Sequence, residues 1–597
     1  MSSERENLFS FEIGLWRWGL GFNIWRTKSL SSYTWRDFSR AVTYKYLPLV
    51  LIVFPIFFLF YFVYRYGVNV LYWDEWPNVN VYRQMIAHKI DWWALFRSGD
   101  MEDLMFFPKL LTFVIEKWTY FNMKDVMYLN VLFQMGAFMS LSFLAASEFS
   151  EMNSGFWFFV PLSWLLFSLR PHAGLEGVIF GFRLAWYMIN FFWCLGLYLL
   201  SLSLKYRQNR WASIFYFLLA AIAGFMASFS SFHGLLIWPA GLIYLWLRSD
   251  EYCPDLRKKW GDWRIFSWIF LSVAVTALYL SVLGVHTIGS GSGGQSPRGL
   301  IMAIVSHPFY SVEYYLLNMG AVFMNQTSTM AISLGAVFFA LFVFFAVRIK
   351  TSPYRWRYAL PVALMVLGIL FGGLLLGRLN NGFGGNGNYY SYWEIHSVLL
   401  IVGLYLGSVL LVTSKKMRVI VGFLWSIFLI ALMTNNIKCG IKEGQIDRFQ
   451  RYLGANTVLN YQRGPTRLMI EQVGGPATVA SFNEKVAFLD KNGFSVFHAG
   501  EGKIPEDIKY EFHPPKSYAA VESKYSAEKD ALECLWSIYL TSPDLEQAFR
   551  RKSSSFTHDL IMWAYGDART TGYYRHNCDA YAGSYIALAS AEYGAPK

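Results

Sequence analysis

Long apolar runs dominate this chain, and polar or charged residues recur in short clusters between them. Tyr46 to Tyr64, Phe266 to Leu283, Met330 to Val347 and Val398 to Val412 are such runs. They reach or approach the roughly 20 residues that a helix needs to cross a hydrocarbon core of about 30 Å. Read throughout in this way, the pattern predicts about eleven spanning helices. They lie at 46–66, 127–147, 155–169, 183–204, 212–229, 232–247, 264–284, 329–348, 359–377, 398–413 and 419–435. The basic clusters then share one side: Arg17 to Lys45, Lys205 to Arg210, Arg257 to Arg264, Arg348 to Arg357 and Lys415 to Arg418. The bias of Lys and Arg toward the cytoplasm puts that side, and the N-terminus, inside. The loop 148–154 holds Glu148 and Glu151 but no Lys or Arg, so it casts no vote. An odd number of spans puts 67–126, 170–182, 285–328, 378–397 and everything after 436 outside.

Composition sharpens this picture. The chain has 597 residues, 55% apolar and only 15% charged, against about 25% charged in soluble domains. Its mean hydropathy is positive, at +0.31. The net charge of +12 does not suggest nucleic acid, because the basic residues are dispersed between apolar runs instead of gathered on one face. The stretch 1–45 interleaves Trp16, Arg17, Trp18, Trp25, Arg26, Trp35 and Arg36, a composition suited to helices lying on the inner leaflet and not to a cleavable signal. From Ile437 to Lys597 there is no spanning run, and the segment is long enough for one compact domain. It contains Cys439, Cys534 and Cys578; a Cys534–Cys578 disulfide is one pairing among those open. The expected fold is therefore an α-helical polytopic membrane protein: an interfacial N-terminus 1–45, a transmembrane domain 46–435, and an extracytoplasmic soluble domain 436–597.

Three groups could carry chemistry. The first external loop opens with Tyr72-Trp73-Asp74-Glu75-Trp76-Pro77. Adjacent carboxylates at a helix exit are either a solvated loop start beside an aromatic belt, or a general base or metal ligand at the membrane surface. Partial burial would raise such a carboxyl's pKa and suit proton abstraction from a sugar hydroxyl. No cofactor is fixed by the sequence, although the pair would accept a divalent cation. In the same loop Phe106-Phe107-Pro108-Lys109 returns a cation to the membrane surface, where it could meet a lipid phosphate. The second group is Arg170, His172, Glu176 and Arg183, charges at the edge of spans three and four, with snorkelling of the two arginines as the plainer reading. The third is Arg378 followed by a Gly/Asn-rich loop and Tyr392 and His396, which suits a phosphate with a stacked sugar as well as an interface belt. Gly289 to Gly294 lacks the Gly-Lys-Ser/Thr ending of a nucleotide loop, and the chain has no HExxH or G-x-S-x-G.

Trp73-Asp74-Glu75-Trp76 resembles the acidic motif of GT-C superfamily glycosyltransferases. More narrowly, the chain is similar to a group of large bacterial membrane proteins found among surface-polysaccharide functions. The likeness extends over Phe106 to Lys109, Glu176 through Phe180-Gly181-Phe182, Ser231-Phe232-His233-Gly234-Leu235 to Gly241, and Phe488 to Phe494. It differs where similar proteins have an Asn-Glu-His-Arg run: here the sequence is Met101-Glu102-Asp103-Leu104. The resemblance implies a GT-C-like enzyme of the bacterial inner membrane with its site on the periplasmic side. Its donor would be a polyprenyl-phosphate-linked sugar, its acceptor a glycan such as O-antigen. Asp74, or secondarily Glu75, would be the base of an inverting transfer. Lys109, Arg183 or Arg378 would hold the phosphate. Rival readings are a flippase for lipid-linked sugars, a polysaccharide polymerase or ligase, and a non-catalytic scaffold.

Overall fold

A computed structural model describes residues 46–97, 99–100, 103–149, 156–167, 177–252, 261–283, 304–320, 322, 328–376, 394–412, 414–459, 461–463, 470, 473 and 478–498. The stretch 1–45, Gly289 to Gly294, Cys534 and Cys578 lie outside the described residues.

The helices, in chain order, are α1 (Leu47–Tyr66), α2 (Asn78–Ile86), α3 (Trp92–Arg97), α4 (Phe106–Thr119), α5 (Met123–Glu148), α6 (Val160–Phe167), α7 (Leu184–Lys205) and α8 (Arg210–Ser228). They continue as α9 (Ile237–Arg248), α10 (Trp263–Leu283), α11 (Pro308–Gly320), α12 (Ser328–Thr351), α13 (Ala359–Leu375), α14 (Glu394–Leu411), α15 (Lys415–Leu459) and α16 (Val479–Asn492). One two-stranded antiparallel ribbon joins Gly99–Asp100 to Asp103–Leu104.

Local sequence explains several boundaries. Asn122 opens α5 by accepting the Lys124 N–H at 3.0 Å, and Asn209 opens α8 by accepting that of Ala212 at 3.2 Å. Each satisfies a donor that the first helical turn leaves unpaired. Gly493 ends α16 in the left-handed region (φ 63°), the conformation that costs glycine least.

Eight helices among the described residues are long and apolar enough to cross a membrane, which makes this a multi-pass helical membrane protein. The other three expected spans correspond to shorter helices: Phe156–Phe167, α9 and Ile395–Leu411. The apolar pattern predicted their positions, but at 1.5 Å per residue the 12-residue α9 extends only about 18 Å. Within 285–328, read from the sequence as an external loop, the apolar helix α11 forms and packs closely on α12. Gly320 and Gly335 permit that approach. A Cβ on Gly320 would meet the Ala331 carbonyl oxygen at 1.8 Å, and one on Gly335 that of Leu316 at 1.9 Å.

Most of α7 is buried, packed on α5, α8, α9 and α14, so it forms the centre of the bundle. One end of the bundle gathers the loop after α1, the start of α7, the end of α8 and the start of α14. The opposite end is tied by charge: Arg264 bonds Asp262 at 2.9 Å, Arg355 bonds Asp250 at 2.8 Å, and Arg248 bonds Glu251 at 3.2 Å.

The last apolar helix does not stop where the apolar run does. α15 continues unbroken from Lys415 to Leu459, 45 residues, so position 436 falls within it. Gly444 lies against the Phe62 ring of α1, and Gly454 against Val473. The residues beyond close onto the turn after α1 through Val473 and onto the loop between α4 and α5. Phe494 stacks on Phe121 at 5.1 Å, Tyr120 on His498 at 4.3 Å, and the Ser495 N–H donates to Tyr120 at 2.9 Å.

The α11–α12 contact provides a test of packing. Replacing Gly320 and Gly335 together by Ala should cost on the order of 1–3 kcal/mol, as overpacking does. This would appear as a lowered thermal midpoint in detergent. Gly373→Ala, where a Cβ meets nothing within 4 Å, should leave the midpoint in place.

Candidate active site

The segment that carries the acidic pair folds as a tight turn. After α1 the backbone runs buried through Val68 to Tyr72, then Trp73 takes a positive φ of 46° and Trp73–Glu75 form one 3-10 turn. The turn is anchored from far along the chain. The carbonyl of Val473 accepts both the Trp73 N–H at 2.9 Å and the Trp76 indole N–H at 3.0 Å, and Lys485 donates to the Trp76 carbonyl at 3.1 Å. With three residues per turn, neighbours diverge by about 120°. Asp74 therefore stands exposed while Glu75 points inward, only 1% exposed.

Backbone donors receive the Glu75 carboxyl. Its Oε2 accepts the Tyr72 N–H at 2.8 Å and its Oε1 the Phe182 N–H at 3.1 Å, with a further bond from the Gly181 N–H. Gly181 is glycine for a spatial reason: a Cβ there would lie 2.8 Å from Glu75 Oε1 and 2.6 Å from Met123 Cε. Asn130 on α5 holds this second segment by donating to the carbonyls of Val178 and Phe180, both at 3.0 Å.

A small cleft opens beside the carboxyl, lined by Glu75, Pro108, Lys109, Thr112, Gly181 and Phe182. The helical spacing of Met105, Lys109, Thr112 and Glu116 aligns them on one face of α4, and the first three line the cleft. Glu116 is buried, and its Oε2 has no hydrogen-bond partner among the described residues. Burial pushes the Glu75 pKa up to about 7, against the pull of Arg451 and the three backbone donors. Glu116 lies well above the usual carboxylate range, first through burial and then through the Glu75 charge.

Arg451, on α15, is fully buried. Its guanidinium lies 4.8 Å from the Tyr72 ring centre and 5.8 Å from that of Phe180, and its three nitrogens have no hydrogen-bond partner among the described residues. Arg183, also buried, stacks 3.7 Å above the Trp186 ring. A second polar cluster lies apart. His396 Nδ1 is 2.7 Å from Asn190 Oδ1, while Ser231 donates to Asp103 at 2.7 Å and lies 3.0 Å from His233 Nδ1. The two imidazoles are 6.0 Å apart, and both contact Phe371.

Of the residues singled out from sequence, Glu75 and Lys109 share the cleft, with Arg183 adjoining Phe182. Asp74 is at the surface, and His396 belongs to the second cluster. Arg170, His172, Glu176, Arg378 and Tyr392 lie outside the described residues. Sequence reasoning missed Glu116 and Arg451. The signal for Glu116 was its place seven residues after Lys109 on an amphipathic helix. That for Arg451 was the unbroken helical run past 436, with Asp447, Arg448 and Arg451 at helical spacing. Among the described residues, no group of three or more His, Cys, Asp or Glu side chains is arranged to hold a metal ion.

No protein-family model and no curated protein matches the sequence. Among solved structures, the chain is similar to the apo form of an Archaeoglobus fulgidus oligosaccharyltransferase, at 13% identity and a TM-score of 0.41. The match covers 74% of this chain and 61% of that one.

The burial of Glu75 has a thermodynamic signature. A pKa raised from 4.5 to about 7 means that the fold favours the protonated form. The full stability is present below 4.5 and declines as pH rises toward 7, by on the order of 3 kcal/mol. Thermal midpoints measured from pH 5 to pH 8 should fall for the wild type, and fall less for Glu75→Gln.

Proposed function

We propose that the chain is an integral-membrane glycosyltransferase that moves one sugar from a polyprenyl-phosphate carrier to a surface glycan such as O-antigen. The supporting observation is a buried carboxyl, held ready by three backbone donors, facing a cleft that also contains a lysine. It occurs in the segment whose sequence resembles the GT-C acidic motif. The base is Glu75, because a desolvated carboxyl with a pKa of about 7 is matched to taking a proton near neutral pH. Asp74, exposed beside it, is the group against which this assignment is tested.

In the reaction, the acceptor hydroxyl oxygen attacks the anomeric carbon and gives its proton to Glu75. The new glycosidic bond forms as the bond from the anomeric carbon to the phosphate oxygen breaks, and polyprenyl phosphate leaves with the electron pair. Lys109 balances the charge on that phosphate. A single displacement inverts the anomeric configuration. The carrier's tail lies along the apolar helix faces, and the reaction faces the periplasm of a bacterial inner membrane, opposite the basic clusters. Arg183 adjoins the cleft and Arg378 precedes α14 in the sequence; both are further phosphate ligands in this reading.

Purified protein, a panel of synthetic polyprenyl-phosphate sugars and native glycan acceptor test the proposal. Wild type should transfer sugar, with kcat/KM rising with pH toward a plateau above about 7. Glu75→Gln should lose roughly two orders of magnitude or more, while Asp74→Asn keeps most activity. Loss in Asp74→Asn with retention in Glu75→Gln would move the base to Asp74. Movement of the lipid-linked sugars across vesicles without any transfer would replace the enzyme with a flippase.

A further inference from the structure

The reading of Glu75 as the base leaves a question that its neighbours answer. Two buried carboxyls interact here, Glu75 and Glu116, and like charges in one desolvated site do not both ionise near neutral pH. We propose that Arg451 is a positioning residue that selects Glu75, and not Glu116, as the carboxyl that ionises. This rests on the proposed role of Glu75 and adds the group that gives it that role.

The geometry is asymmetric. The Arg451 guanidinium packs on the rings of Tyr72 and Phe180, which touch each other edge to face at 6.0 Å. The Tyr72 backbone donates to one Glu75 oxygen, and the Gly181 and Phe182 backbones, next after Phe180, donate to the other. One cation thus braces both segments of the Glu75 cradle and acts on its charge. Glu116 feels the Glu75 carboxylate but receives no comparable pull from a cation. A buried guanidinium without an anion nearby is costly, so the three groups are linked: one cation, one carboxylate and one retained proton on Glu116. The other charges around the turn and around Arg451 are Lys109 and Glu116 on α4, Arg183 at the start of α7, Lys485 on α16, Asp74 on the turn itself, and the buried Asp447 and Arg448 one helical turn before Arg451 on α15. Lys485 donates to the Trp76 carbonyl, and Arg183 stacks on the Trp186 ring. Arg451 is the cation whose charge acts on Glu75. It also comes from α15, which runs unbroken from its apolar half to the site.

The test reads the two carboxyls directly, without requiring activity. Infrared titration of the purified full chain resolves the protonated carboxyl bands, assigned by their loss in Glu75→Gln and Glu116→Gln. In wild type the Glu75 band should disappear first, and the Glu116 band should persist to higher pH. Arg451→Met should raise the Glu75 midpoint by roughly one pH unit or more, and Arg451→Lys should return it close to the wild-type value. Glu116→Gln should leave the Glu75 midpoint nearly in place, because Gln resembles the protonated acid. An unmoved Glu75 midpoint in Arg451→Met, or a fall of about a unit in Glu116→Gln, overturns the proposal. The transfer assay separates its failure from that of the enzyme reading. If both hold, Arg451→Met moves the rising limb of the pH profile to alkaline pH and recovers rate there, which a merely structural lesion does not do. Infrared shifts without any sugar transfer would leave the triad standing and remove the transferase.

Discussion

The fold around the candidate site depends on keeping one carboxyl out of water. Glu75 is desolvated, and desolvation of a carboxylate is expensive unless hydrogen bonds and charge offset it. Tyr72, Gly181 and Phe182 provide the bonds, and Arg451 the charge. These come from three segments that the sequence keeps far apart: the loop after α1, the lead-in to α7, and the far part of α15. Much of the surrounding structure serves to bring them together. Asn130 fixes the second segment, Val473 fixes the turn, and the absent Cβ of Gly181 leaves room for the carboxyl.

The same constraint explains why several short sequence segments have the form they do. Gly181 follows Phe180 because one position must be empty and its neighbour must offer a ring to Arg451 and Tyr72. Gly234, in the Ser231 to Leu235 segment, lies where a Cβ would meet the Ala227 carbonyl oxygen at 1.8 Å. Its neighbours Ser231 and His233 join Asp103 in the second polar cluster. In the Phe488 to Phe494 segment, Gly493 ends α16 so that Phe494 can reach Phe121. Each of these segments fixes a loop at the same end of the bundle.

The membrane class and most of the helices were legible in the sequence because apolar run length is a local property. The positions of α9 and the short helices were visible, but their shorter lengths were not, since run length blurs where aromatic and polar residues mix. Helix α11 was hidden for the same reason: Tyr310, Glu313, Tyr314 and Asn318 interrupt its apolar pattern. The acidic pair stood out, yet which of the two carboxyls faces inward depends on the left-handed Trp73 and on Val473, nearly four hundred residues away. Glu116 and Arg451 were unreadable as site residues because their role arises only from that long-range closure. An apolar run ending near 435 looks like the end of a helix, and the helical spacing of Asp447, Arg448 and Arg451 beyond it reads as a solvated charged run, not as a helix carrying a buried arginine.

That continuation has a mechanical meaning. At 1.5 Å per residue α15 is about 68 Å long, well beyond a hydrocarbon core of about 30 Å. Its apolar half is matched to lipid and its far half carries the cation beside Glu75, with unbroken helix between them. A helix so anchored shifts or tilts when the bilayer around its apolar part thickens or thins. Arg451 and the apolar half of α15 are therefore parts of one continuous rod, so whatever holds the one end also positions the other.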